Sequence, residues 1–261
     1  MKIAKLILIL ATICLQAGCQ STHSHKGKKK FHVYLLIGQS NMAGRAPFTE
    51  EESAVIPGCF LLNAEDKWEP ARNPLNRYST IRKDLDLQKM GPGYTFAKTM
   101  LTEQAGITLG LVVNARGGTR IEQWTRGTEF YNEAIRRVKI AQAEGTLKGI
   151  LWHQGESNSK YYDRYLSQLK SLVEDLRNDL EMPDLPFVAG QVFYNADTKP
   201  NTRKINEQIA KLPDTLRLTG YVSSDGLTAM DGAHFDSKSI KLLGERYARQ
   251  MLKLINQLEQ Q

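Results

Sequence analysis

Read for apolar and polar positions alone, the chain alternates two periods from Phe31 to its end. A short β-branched and aromatic run, Val33-Tyr34-Leu35-Leu36-Ile37, stops at Gly38 and predicts a strand buried on both faces. Ile107–Asn114, Lys148–Trp152, Leu185–Phe193 and Leu218–Val222 repeat that signal and predict four more strands. Between them the period becomes helical. Gly91-Pro92-Gly93 opens a helix over Tyr94–Gln104, and Phe130–Ala143 carries Ala134, Ile135, Val138 and Ala141 on one side. Ile121–Trp124 reads as a helical turn and Thr202–Leu212 as a further helix. Tyr161–Leu180 has an apolar stripe from Tyr162 through Tyr165, Leu169, Leu172 and Leu176 to Leu180. Asp236–Leu258 turns Ile240, Leu243, Tyr247, Met251 and Leu254 inward. Strands alternating with helices predict a three-layer α/β/α sandwich around a mostly parallel sheet. Ala46–Gln88 shows neither period, is rich in charge, Pro and Asn, and is expected to be an irregular insertion that shapes a site or lies on the surface.

Residues 1–19 fit neither pattern. Lys2 and Lys5 precede an apolar centre, Leu6–Ile13, too short for a permanent bilayer span, so the segment reads as an export signal. Leu15-Gln16-Ala17-Gly18-Cys19 resembles a bacterial lipobox, with Gln16 where that motif prefers leucine. Cys19 is thus a candidate for lipidation, with ordinary cleavage and secretion as the other outcome. Residues 20–30, QSTHSHKGKKK, contain no large apolar side chain and read as a solvated tether. Residues 31–261 form one expected domain, placed in the bacterial cell envelope or outside it.

Charge changes the picture only once it is located. Leader lysines 2 and 5 and tether lysines 26, 28, 29 and 30 supply six of the formal +7 charges, leaving +1 for the domain. A nucleic-acid footprint is therefore not indicated, and membrane contact is expected only through the N-terminal anchor. The three cysteines suggest neither a disulfide framework nor zinc spacing. No metal or cofactor is expected, and the sequence leaves the oligomeric state open.

Ser40 follows the first strand, where open α/β sheets bind ligands, so it fits two roles: helix cap or nucleophile. A serine nucleophile needs a base. Of five histidines, His23 and His25 lie in the tether and His32 begins the strand at the opposite edge. His153 directly follows an apolar strand, a place that suits a packed histidine. His234 sits in Asp231-Gly232-Ala233-His234, where the carboxylate can reach Nδ1 and leave Nε2 facing a serine. Alone, such spacing often means only a cap. Two loops offer oxyanion donors: Asn114–Thr119 with its paired Gly117 and Gly118, and Trp152–Ser157 with the Gln154 amide.

Together, Gly38-Gln39-Ser40-Asn41-Met42, Gly117-Gly118-Thr119 with Ile121 and Trp124, Trp152 with Gln154-Gly155-Glu156-Ser157-Asn158, and Asp231-Gly232-Ala233-His234 resemble the SGNH hydrolases. More narrowly, they resemble the sialate O-acetylesterase and acetylxylan esterase group, including carbohydrate esterase family 6, over Phe31–Leu258. The resemblance implies a flavodoxin-like fold and metal-independent removal of acetyl groups from sugars. It implies Ser40 as nucleophile, His234 as base and Asp231 as its orienter. An oxyanion hole would come from Ser40, Gly117 or Gly118, and Gln154, with Gln39, Asn41 and Glu156 in support. Three positions depart from the family pattern: His153 for a tyrosine, Arg120 for a serine and Asn158 for an aspartate. Arg116 and Arg120 flank the glycines and suggest an anionic sugar, although solvated surface arginines explain them as well. The alternatives are a lipase or thioesterase of the same fold, or a surface carbohydrate-binding protein without catalysis.

Overall fold

The computed structural model describes residues 30–194, 196 and 200–260. The expected export signal, Cys19 and all of the expected tether but Lys30 lie outside the described residues. Seven strands form one sheet in the order β3-β2-β4-β1-β5-β6-β7. Every neighbouring pair is parallel except β2 with β3.

β1, Phe31–Gly38, is central, between β4, Thr108–Ala115, and β5, Thr146–His153. Its apolar run serves both faces, as alternation along a strand requires. Tyr34 and Leu36 pack with α2, Gly93–Glu103, and α7, Ser237–Glu259. Val33, Leu35 and Ile37 pack with α3, Glu129–Ala141, α4, Tyr162–Asp179, and α5, Asn201–Ala210. Helices thus cover both faces, as expected for βαβ units. β6, Phe187–Gly190, and β7, Thr219–Val222, complete that side of the sheet. A one-turn α1, Ser40–Ala43, follows β1, and a short α6, Leu212–Thr215, precedes β7. α7 begins one residue later than the periodicity suggests because Asp236 is its cap, accepting from Ser239 N–H at 2.8 Å.

The insertion corrects the expectation of irregular chain. It contributes β2, Cys59–Leu62, and the antiparallel β3, Trp68–Pro70, which extend the sheet beyond β4. Strands of four and three residues are too short to show a period. Asn76 then acts like a neighbouring strand at the end of β4: it accepts from Ala115 N–H at 3.0 Å and donates to Ala115 O at 3.0 Å. Asn114 Oδ1 accepts from Thr80 N–H at 3.0 Å. These bonds hold the insertion over the carboxyl edge, where β1, β4 and β5 end together.

Candidate active site

Gly38 sets the geometry. It ends β1 at φ +134°, and a Cβ there would lie 2.2 Å from His153 O. Only glycine lets β1 and β5 remain paired while the chain turns. Gln39 N–H donates to His153 O at 2.8 Å, and Gln39 Oε1 accepts from Gly155 N–H at 3.4 Å. The turn therefore delivers Ser40 to the sheet edge, 6% exposed.

The loop before α7 meets it there. An antiparallel bridge, Ala229 with Phe235, closes the loop, and Met230 N–H donates to His234 O at 2.8 Å. Asp231 Oδ1 accepts from the N–H groups of Ala233 and His234, both at 2.8 Å. Its Oδ2 lies 2.8 Å from His234 Nδ1, and His234 Nε2 lies 3.0 Å from Ser40 Oγ. A carboxylate can only accept, so Nδ1 carries the proton and Nε2 is left to accept from the Ser40 hydroxyl. Burial would raise the Asp231 carboxyl, but the bonds from the His234 ring and the two backbone N–H groups outweigh it and hold it at about 2.

Asn41 fastens this loop to the serine turn. It is buried, donates to Glu156 Oε1 at 2.8 Å and Ala233 O at 3.0 Å, and accepts from Phe235 N–H at 3.2 Å. Gly117 lies against Ser40, since a Cβ on it would be 3.4 Å from Ser40 Cβ. Gly118 is exposed, at φ +75°. Ser40, Asp231, His234, Gln39, Asn41, Glu156 and Gly117 therefore meet at one edge.

Two expected site residues have other tasks. Gln154 is fully buried, and its amide donates to Thr119 O at 3.0 Å and Asn158 Oδ1 at 2.7 Å. Asn158 is oriented in turn by Ile121 N–H, at 2.9 Å to Oδ1, and by Glu122, at 3.0 Å from Nδ2. With both hydrogens spent, Gln154 braces the two loops instead of donating to an oxyanion. Arg116 donates to Ile81 O at 2.7 Å and lies over the Phe130 ring at 5.6 Å, so it ties down the insertion. Arg120 remains exposed. The sequence reading missed Arg45, whose guanidinium lies against Gly117. An arginine directly after the serine turn was the available signal.

A model of a carbohydrate esterase, sialic acid-specific acetylesterase family matches residues 30–253. A probable carbohydrate esterase from Arabidopsis thaliana is 32% identical over 179 residues, which is 60% of this chain and 66% of that protein, just under two thirds of its length. The solved structure of that Arabidopsis protein superposes with a TM-score of 0.76 at 28% identity, covering 85% of this chain and 98% of that one. NanS gives a TM-score of 0.72 at 16% identity, covering 88% and 99%. A carbohydrate acetylesterase from Xanthomonas citri gives 0.66 at 20% identity, covering 86% and 57%. The last two likenesses bear on the α/β fold alone.

Proposed function

This chain belongs to the carbohydrate esterase, sialic acid-specific acetylesterase family; from that premise we propose that it is a hydrolase acting on ester bonds, removing O-acetyl groups from a carbohydrate through an acetyl-serine intermediate on Ser40. The observation that carries this reading is the continuous chain from Asp231 Oδ2 through His234 to Ser40 Oγ, with links of 2.8 and 3.0 Å.

In the first step His234 Nε2 takes the Ser40 proton as Oγ bonds to the acetyl carbonyl carbon, whose oxygen becomes the oxyanion. The ionised Asp231 stabilises the imidazolium. Collapse of the tetrahedral adduct breaks the bond to the sugar oxygen, which leaves with the proton from Nε2. Water then gives a proton to Nε2 and attacks the acetyl-enzyme. Acetate departs and Ser40 regains its proton. Backbone N–H groups at Ser40 and Gly117 are the expected oxyanion donors. Donors of this kind account for roughly 3 kcal/mol each in other enzymes.

The substrate class we favour is an acetylated polysaccharide such as xylan or an O-acetyl sialic acid. Exposed Arg120 at the rim favours an acidic sugar within that class. An N-terminal lipid on Cys19 would hold the enzyme at the cell envelope, and Cys19→Ala is expected to release it into the soluble fraction. The direct test is p-nitrophenyl acetate hydrolysis with acid-quench mass spectrometry. Wild type is expected to carry an acetyl group on Ser40, and Ser40→Ala to hydrolyse nothing above background. Full turnover by folded Ser40→Ala overturns the reading. Rates on acetylated xylan, acetylated pectin fragments and O-acetyl sialic acid then rank the substrates, with Arg120→Ala losing any preference for the acidic ones.

A further inference from the structure

With Gln154 spent on Thr119 and Asn158, an oxyanion forming at Ser40 meets no side-chain amide from that loop. A cation stands close by instead. Arg45 is half-buried, and its Nη1 donates to Gly44 O at 2.7 Å and Leu87 O at 2.9 Å. Two carbonyls on one nitrogen fix the plane of the guanidinium fork and leave its other arm available. That arm points at the nucleophile's neighbour: a Cβ built on Gly117 would be 2.6 Å from Arg45 Nη2 and 3.4 Å from Ser40 Cβ. Two atoms so near one point lie within about 6 Å of each other, a gap that an acetyl carbonyl bonded to Oγ would largely fill.

Among the described residues Arg45 forms no ion pair. Burial pulls its pKa below the usual arginine range, as expected for a cation whose lost hydration no anion offsets. A desolvated positive charge fixed before the reaction, beside the place where negative charge develops, stabilises that charge more than it would in water.

We propose that Arg45 is a catalytic residue whose Nη2 donates to the oxyanion of the tetrahedral adduct on Ser40, alongside the Gly117 N–H. The assignment rests on the acyl-serine reading. A side chain at position 117 would place its Cβ 2.6 Å from Nη2 and would require the guanidinium to shift.

The test uses p-nitrophenyl acetate, which has no carboxylate for Arg45 to bind. Arg45→Ala is expected to lower kcat and kcat/KM together by about 100-fold, the usual loss for one oxyanion donor. Arg45→Lys keeps part of the activity, and millimolar guanidinium restores part of it to Arg45→Ala. A phenylboronic acid that forms a tetrahedral anion on serine should lose affinity by a similar factor, because it mimics the transition state. A purely structural Arg45 would lower the melting temperature without guanidinium rescue or a matching boronate loss, and that result overturns the proposal. Unchanged p-nitrophenyl acetate turnover with weaker turnover of acidic sugars also overturns it, and makes Arg45 a substrate-carboxylate site. Full activity in Ser40→Ala would sink the acyl-serine reading itself. An inactive Ser40→Ala beside a fully active Arg45→Ala would sink only this inference.

Discussion

Two histidines stand at the carboxyl edge of the same sheet, one at the end of a buried strand and one on a loop. His153 closes β5 and is fully buried. Its Nδ1 lies 3.0 Å from Tyr247 Oη, and that hydroxyl donates to Trp152 O at 2.6 Å. The tyrosine must then accept from Nδ1–H, so His153 Nε2 is a bare acceptor, with no partner among the described residues. Burial drives its pKa down to about 3. His234 has the opposite arrangement: its side chain is 28% exposed, a carboxylate fixes Nδ1, and a hydroxyl faces Nε2. Sheet position alone does not make a base. An imidazole works as one where an anion offsets its acquired charge and where a substrate can reach the proton.

Exchanging the roles in the laboratory would break this comparison most sharply. His234→Ala is expected to lower kcat on p-nitrophenyl acetate by roughly 10⁴- to 10⁶-fold, whereas His153→Asn changes it by less than about 10-fold. A reversed order would move the base to the strand. Asp231→Asn keeps the shape of the loop but supports the wrong tautomer, and should cost about 10³- to 10⁴-fold in kcat. Asn41→Ala removes the two bonds that hold the histidine loop to the serine turn and a third that ties that turn to Glu156. It is expected to cost up to about 100-fold in kcat by loosening the approach of Nε2, with KM little changed. Asn41→Asp can still accept from Phe235 N–H, but it sets a carboxylate oxygen against Glu156 Oε1 and Ala233 O and should not recover that loss.

The smallest effect is on stability and tests the buried partner. Between about pH 3 and 6.5 the unfolded chain binds a proton at residue 153 that the folded chain refuses, so stability rises with pH there. His153→Asn should flatten urea-denaturation free energies over that window, by at most about 1.4 kcal/mol per pH unit. Asp231 acts in a lower window. Its folded value is depressed from 3.8 to about 2, so its contribution is complete above the upper value and lost as pH falls through the lower. Asp231→Asn should therefore leave the slope above pH 4 as in wild type, as seen in the same titration.

Much of the fold can be read along the chain because it depends on neighbours in sequence. The run Val33–Ile37, the stripe of α4 and the inward face of α7 announce themselves, since strand and helix periods are local and the burial they predict follows from them. The same holds within the Asp231–His234 turn, whose ends are three residues apart. β2 and β3 escape such a reading because three or four residues show no period and become strands only by pairing with distant chain.

The working parts of the site depend on longer reach. Ser40 and His234 are 194 residues apart, and Asn41 and Glu156 are 115 apart. Composition and spacing mark Gln154, Arg116, Arg120 and Arg45 equally as polar residues near glycines. Packing alone turns Gln154 inward, binds Arg116 to the insertion, leaves Arg120 in solvent and sets Arg45 beside Gly117. Residue type states which hydrogen bonds a side chain can make, and the partner that reaches it first in the folded chain decides which ones it does make.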